Sequence, residues 1–119
     1  MAMQTVRVVN TTRATVLGER IGVADSSLSR MVGLLGKSCL APATGLLIMP
    51  SQAVHSIGMR FPIDVLFVDR NWRVIHVQPS LVPYRVSGLH WSARCVLELP
   101  VGVIAETCTS VGDELQIEE

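Results

Sequence analysis

The stretch from His55 to Asp69, HSIGMRFPIDVLFVD, decides the fold of this 119-residue chain. Pro62 fixes the backbone φ angle at the entry to an apolar run, and the run Ile63–Val68 is rich in β-branched and aromatic residues, which favours a strand. Successive side chains of a strand point to opposite faces, so we expect Asp64 on the same face as Leu66. A carboxylate on such an apolar strand requires polar partners.

The flanking sequence predicts further strands. Thr5–Asn10 alternates and is rich in Val and Thr. The segments 14–17 and 20–24 flank Gly18-Glu19, which indicates a hairpin or a bent strand. Asp69-Arg70-Asn71-Trp72 is a four-residue connection suited to an antiparallel hairpin. The other predicted strands are Leu46–Met49, Ala53–Ile57, Arg73–Gln78, Ala93–Leu99 and Glu114–Glu118.

Two helices are predicted. Apolar residues recur at helical spacing over Ser27–Leu35, between a capping segment and Gly36, and a short C-terminal helix is expected over Val103–Cys108. Pro79–Ser92 is the longest irregular segment. Many short strands with few helices predict a β-rich α+β fold, a mostly antiparallel sandwich or partly closed barrel with one main and one short helix, in a single domain over residues 1–119.

The charge composition excludes some function classes. Ten basic and ten acidic residues cancel, which leaves no global field that would attract nucleic acid or an anionic membrane. Residues 1–60 carry six bases against two acids, and residues 61–119 carry four against eight. The halves could complement each other across the core or across a homodimer, or the charges are scattered over the surface. Charged residues at 17%, against about 25% in typical domains, are compatible with self-association.

Cysteine usage and the N-terminus bear on the compartment. Three cysteines, Cys39, Cys95 and Cys108, lie far apart without a C-x-x-C spacing, so neither a disulfide framework nor a zinc site is expected. The first residues lack the apolar run of a signal peptide, and no apolar stretch reaches the ~20 residues of a membrane helix. We expect a soluble, cytoplasmic protein with no cofactor.

Five motifs in order resemble the domain-of-unknown-function 192 family of bacteria and archaea. They are Arg30–Gly36, Gly45–Met49, His55–Asp69, Val96–Gly102 and Val111–Leu115. The resemblance implies a compact β-rich fold and no agreed reaction. The chain departs from the family pattern in two places. Ile57–Phe61 replaces a segment of the Trp-Met-Lys-Asn-Thr type, and Asn71-Trp72 stands where a turn glycine is typical.

Asp64 and Glu98 are the candidate catalytic carboxylates. Glu98 is expected on the same strand face as Val96, and two carboxylates on neighbouring strands could serve as acid and base. Alternatively each carboxylate is held by an arginine, with Arg30, Arg60 and Arg94 as candidates, or accepts hydrogen bonds from loop amides. The second interpretation is favoured, because buried polar networks more often fix a loop than carry out a reaction.

His55 is the third candidate, as a general base, a ligand or a hydrogen-bond donor. His55, Met59, Asp64 and Cys95 could converge on a metal ion, but no spacing indicates such a site, and none is expected. Cys39 could act as a nucleophile with His55, although a cysteine after a helix end is more commonly a packed apolar residue.

Met59 and Phe61 flank Arg60, so an apolar patch around a guanidinium could recognise a carboxylate or a phosphate. The competing interpretation places Met59 and Phe61 in the core and Arg60 in solvent. His90-Trp91 could cover a pocket or a sheet edge. The glycines form no phosphate-binding pattern.

The sequence favours a non-catalytic module that binds a small molecule or a protein. Its cleft would be framed by His55–Phe61 and Pro79–Trp91. The predicted ligand-binding residues are Arg30, His55, Met59, Arg60, Asp64 and Glu98. The alternatives are a small hydrolase or lyase that uses Asp64 or Glu98 with His55, and a homodimeric assembly protein.

Overall fold

The computed structural model describes residues 4–24, 40–50, 61–81 and 90–119, and seven strands in these ranges form one curled sheet. The strands are β1 (Thr5–Asn10), β2 (Thr15–Ala24), β3 (Thr44–Ile48), β4 (Ile63–Val68), β5 (Val74–Leu81), β6 (Cys95–Pro100) and β7 (Leu115–Glu118), and one helix, α1, spans Val103–Thr107. The strand order across the sheet is β5-β4-β6-β3-β2-β1-β7.

The sheet curls until its two edge strands meet at one corner. All neighbouring strands pair antiparallel except β2 and β3, which are parallel. Arg73, just before β5, forms a β-bridge with Glu114, just before β7. The Val74 amide donates to the Asp113 carbonyl oxygen at 2.8 Å. The predicted partly closed, mostly antiparallel barrel is therefore confirmed.

Apolar side chains are buried on both faces of the sheet. The inner cluster takes residues from all seven strands and from α1: Val6, Val8, Leu17, Ile21, Leu47, Leu66, Val68, Val74, Cys95, Leu97, Leu99, Ile104 and Leu115. The outer cluster comprises Leu46, Phe61, Ile63, Val65, Phe67, Leu81, Ala93 and Val96. Every residue of β4 is buried, because this strand lies between β5 and β6 and alternates between the two clusters.

The strand predictions are largely confirmed. β1 and β4 have the predicted bounds, and the segment around Gly18-Glu19 is one bent strand, in which two register shifts interrupt the pairing of β1 with β2. The prediction that the irregular segment begins at Pro79 was wrong, because β5 continues to Leu81. A proline is tolerated there because β5 pairs only with β4 and is an edge strand along this part.

The short C-terminal helix is confirmed as α1. It is the only helix within the four described ranges, so the predicted main helix has no support there; that helix, over residues 27–35, lies outside them. The strand predicted over 53–57 also lies outside the described residues. None of the residues described here belongs to a helix that is long and apolar enough to cross a membrane.

The hairpin turn between β4 and β5 accommodates a tryptophan in place of the usual glycine. Trp72 has a φ of 61°, a left-handed conformation that is unfavourable for a bulky residue. The Asp69 carboxylate accepts hydrogen bonds from the amides of Asn71 at 2.9 Å and Arg73 at 3.0 Å, which fixes the turn. Trp72 in return packs against the inner cluster, which offsets the backbone cost.

A buried polar network stabilises the closed corner of the barrel. One oxygen of Asp113 accepts hydrogen bonds from the Asn10 amide group, the Arg13 guanidinium and the Ser110 backbone N–H, each at 3.0 Å. Burial alone would raise the pKa of Asp113, but these donors, Asn10 first, together lower it below its ordinary value. The carboxylate thus holds the β1–β2 hairpin against the loop before β7.

Gly45 is required where β3 contacts β6. A Cβ atom at this position would overlap the backbone carbonyl oxygen of Glu98, which cannot move without disturbing the β3–β6 pairing. At Gly18, in contrast, the added atom would overlap the terminal methyl group of Ile21, which can rotate away. The two glycines therefore form a matched pair for substitution.

We expect Gly45→Ala to lower the free energy of unfolding by about 3 kcal/mol, because overpacking against backbone is poorly relieved. Gly18→Ala should cost about 1 kcal/mol. Urea denaturation of both variants measures the difference. Equal losses would show that the close approach of β3 to β6 is not a constraint.

We expect Asp113→Asn to lower the free energy of unfolding at neutral pH by about 2 kcal/mol, because charge-assisted hydrogen bonds are weakened. A folded-state pKa below the unfolded value gives stability that is present above the unfolded pKa of about 3.9 and is lost as the pH falls through the folded pKa. The difference in the free energy of unfolding between wild type and variant should therefore shrink below about pH 4.

The control Glu114→Gln, which removes an exposed ion pair with Arg73, should change the free energy of unfolding by under about 1 kcal/mol. A difference between wild type and Asp113→Asn that is independent of pH would contradict this account.

Candidate functional site

Asp64, on strand β4, caps the N-terminus of helix α1. Its side chain lies on the inner face and the residue is 1% exposed. One carboxylate oxygen accepts a hydrogen bond from the Ser80 amide at 3.0 Å, and the other accepts from Gly102 at 3.0 Å and Ile104 at 2.9 Å. The N-cap residue Gly102 has no side chain that could accept a hydrogen bond from the first backbone amides of α1. Asp64 accepts these hydrogen bonds instead, and its negative charge is favourable at a helix N-terminus.

These contacts agree with one of the interpretations of Asp64. The carboxylate is held by three main-chain amides, which matches the prediction of loop amides as partners. Both oxygens already accept hydrogen bonds and point beneath α1 toward the inner cluster. Among the described residues, the geometry indicates a structural role for Asp64 as the acceptor for these three amides.

Glu98 lies on the opposite face of the sheet. The pairing of β4 with β6 places Asp64 opposite Leu99 and Val65 opposite Glu98. Side chains of directly paired residues share a face, so Glu98 lies with Val65 on the outer face, and Leu46 flanks it from β3. Glu98 is 0% exposed and takes part in an electrostatic or hydrogen-bond interaction. This register excludes a direct acid–base pair of Asp64 and Glu98.

Four predicted site residues, Arg30, His55, Met59 and Arg60, lie outside the described residues, and their roles stay predictions. The neighbouring Phe61 is 6% exposed and belongs to the outer cluster, which agrees, for this residue, with the interpretation that placed Met59 and Phe61 in the core.

Three rings that the sequence did not group together meet at one end of the outer cluster. The centroid of the His90 ring lies 4.2 Å from that of Phe67 and 4.3 Å from that of His76, and the two imidazoles stack at 23°. Burial first, and the neighbouring His76 second, lower the pKa of His90, so the neutral form is favoured. Sequence analysis missed His76, because only the pairing of Phe67 with His76 brings it to this place.

A cleft of about 440 Å³ adjoins these rings, and we call it the arginine cleft. It is lined by Asp69, Arg70, Trp91, Ser92, Ala93 and Arg94. The Ala93 amide donates to the His90 carbonyl oxygen at 3.0 Å, so the cleft and the ring cluster share one short turn. Trp91 is 77% exposed, and both arginines are exposed. The sequence had offered His90-Trp91 as a cover for a pocket or for a sheet edge; in the structure Trp91 lines a cleft together with Arg70 and Arg94.

The suggested metal ligands do not converge among the residues that the structure describes. Cys95 is buried in the inner cluster, and burial raises the pKa of its thiol to about 12, which makes it a poor ligand and nucleophile. Asp64 is held by amides, and the described residues contain no group of three or more His, Cys, Asp or Glu placed to hold a metal ion. Cys39 lies outside the described residues, and Cys108 is exposed at the end of α1.

We expect Asp64→Ala to lower the free energy of unfolding by about 3 kcal/mol, because it leaves three amides without their acceptor. Asp64→Asn should lose about 2 kcal/mol, since its amide group can replace only part of the acceptor capacity. The control Glu106→Gln removes an exposed acid from the same helix and should cost about 0.5 kcal/mol. Denaturant unfolding measures all three, and a stable Asp64→Ala variant would refute the structural role.

Comparison with known proteins identifies relatives in archaea. The chain is 30% identical over 118 residues to a UPF0127 protein of Thermococcus sibiricus, covering 92% of this chain and 73% of the relative. It is 28% identical over 112 residues to a UPF0127 protein of Pyrococcus horikoshii, covering 92% and 96% of the two chains.

Two solved structures share the fold. A putative transcription regulator from Sinorhizobium meliloti aligns with a TM-score of 0.80 at 20% identity, covering 98% of this chain and 96% of that chain. A protein of unknown function from Novosphingobium aromaticivorans aligns with a TM-score of 0.78 at 23% identity, covering 96% and 84%. The family model DUF192, described as an uncharacterised ACR, matches residues 8–117. The chain therefore belongs to the DUF192 family.

Proposed function

We propose that this protein is a non-catalytic binding module for a small molecule or a protein segment. The observation that supports this most directly is the hydrogen bonding of Asp64, whose carboxylate accepts from three main-chain amides beneath α1. A hydrolase or lyase needs a base and an acid that reach a common point. Both oxygens of Asp64 already accept main-chain hydrogen bonds, and Glu98 lies on the other face of the sheet, which supports a non-catalytic function.

The outer face near His90 supports a binding role. Phe67, His76 and His90 form a ring cluster beside the arginine cleft, and Trp91 exposes most of its surface there. Aromatic side chains next to polar and charged groups are typical of recognition sites, because they give large contact area with little loss of side-chain entropy. The binding surface in this proposal consists of the ring cluster and the arginine cleft.

Other functions have less support. The hydrolase or lyase alternative would depend on Glu98 with His55, and His55 lies outside the described residues. The solved relative from Sinorhizobium meliloti is titled a putative transcription regulator, but ten basic and ten acidic residues give this chain no net charge with which to hold DNA. A homodimer stays a prediction.

We expect a panel of small metabolites and short peptides to contain compounds that raise the melting temperature. A ligand at 100 times its dissociation constant should stabilise the protein by about 2.7 kcal/mol, a shift on the order of 10 °C for a chain of this size. Each such compound should be recovered chemically unchanged by mass spectrometry after prolonged incubation, because the site binds without reacting.

The variant His90→Ala should reduce these shifts, since it removes the central ring of the cluster. Val111→Ala is a matched control, because Val111 is an exposed apolar residue, at 60%, and belongs to neither the ring cluster nor the arginine cleft. Converted compounds would indicate an enzyme. A panel without any stabilising compound would contradict the binding function.

A further inference from the structure

The two arginines of the arginine cleft have no carboxylate partner among the described residues. Arg7, Arg13 and Arg73 each form a salt bridge there, but neither Arg70 nor Arg94 does. Arg73 is the informative comparison, because it belongs to the same hairpin as Arg70 and pairs with Glu114 at 2.9 Å.

The one acid in the cleft does not neutralise this charge fully. One oxygen of Asp69 accepts the amides of Asn71 and Arg73, which hold the carboxylate in its own turn. The lining therefore carries two guanidinium groups against one carboxylate, a local excess of positive charge in a chain whose formal charges cancel as a whole. Guanidinium groups bind carboxylates through paired, parallel hydrogen bonds, and they keep their charge at all physiological pH values.

Trp91 adds an apolar, planar surface to the same cleft. Its 77% exposure contrasts with the low exposure of the core residues, and Ser92 beside it offers a hydroxyl group. An exposed indole next to two guanidinium groups can stack on a flat ring while the cations hold an anionic substituent.

We propose that the arginine cleft binds small aromatic carboxylic acids, with the ring on Trp91 and the carboxylate between Arg70 and Arg94. This inference rests on the proposed binding function and names its ligand class. The volume of about 440 Å³ falls within the range of about 300–1,000 Å³ that is typical of small-molecule sites. Arg70, Arg94 and Asp69 together leave the lining with a formal charge of +1, which matches one carboxylate, whereas a nucleic acid requires a longer row of cations.

The test is a titration of the ¹⁵N-labelled full-length chain followed by NMR. The probes are 1-naphthoate, the neutral analogue 1-naphthamide, inorganic phosphate and a short oligothymidine. Naphthoate should cause saturable shifts of the Trp91 indole N–H and of the backbone amides of residues 69–70 and 91–94. Naphthamide and phosphate should each bind at least about 10-fold more weakly, because each lacks one of the two interactions.

The substitutions Arg70→Gln and Arg94→Gln should each weaken naphthoate binding about 10-fold, the effect of losing one charge-assisted contact. Arg73→Gln is the matched control and should leave the dissociation constant unchanged, because Arg73 lies outside the cleft and is paired. The same spectra report whether each variant is folded.

Three results would overturn the inference. They are the absence of saturable shifts with millimolar naphthoate, binding of naphthamide or phosphate as tight as that of naphthoate, and binding of naphthoate by the Arg70→Gln and Arg94→Gln variants as tight as by the wild type. Tighter binding of oligothymidine would assign the cleft to single-stranded nucleic acid instead. If a compound from the metabolite panel binds but shifts only the NMR signals of residues outside the arginine cleft, the proposed binding function stands and the assignment of its ligand to this cleft fails.

Discussion

The hydrogen bonding of the Asp64 carboxylate is the interaction on which the other parts of the structure depend. It joins three elements that are distant in the chain: β4, the end of β5 through Ser80, and the first turn of α1 through Gly102 and Ile104. A buried carboxylate is costly unless it is hydrogen-bonded, and the first amides of a helix need acceptors. The carboxylate and the helix amides satisfy each other, and α1 is therefore fixed at one place over the inner cluster.

At the closed corner of the barrel, a second buried carboxylate is likewise satisfied by several hydrogen-bond donors. Asp113 accepts hydrogen bonds from Asn10, Arg13 and Ser110, and the strand edges of β5 and β7 meet beside it. Closure protects part of two strand edges that would otherwise be open to pairing with another chain. Two buried aspartates thus fix α1 and the closed corner against a largely apolar core.

The two faces of the sheet have different chemistry. The inner cluster collects side chains from every strand, among them the protonated thiol of Cys95, and Asp64 lies on the same face. The outer face contains Glu98 and, at its end, the stacked histidines, which lead to the arginine cleft. Because of this separation, the residues that stabilise the fold differ from those to which the proposed binding is assigned. Membership of the DUF192 family adds no reaction to this picture.

The sequence by itself determined where most strands of the described ranges lie and which residues of a strand share a face. The bounds of β1 and β4 and the alternation around Asp64 and Glu98 are local properties, because periodicity and propensity act over a few residues. Only the tertiary structure decided how strands align, since register depends on contacts between distant segments. It set Asp64 and Glu98 on opposite faces, and it brought His76 to His90 and Arg70 to Arg94.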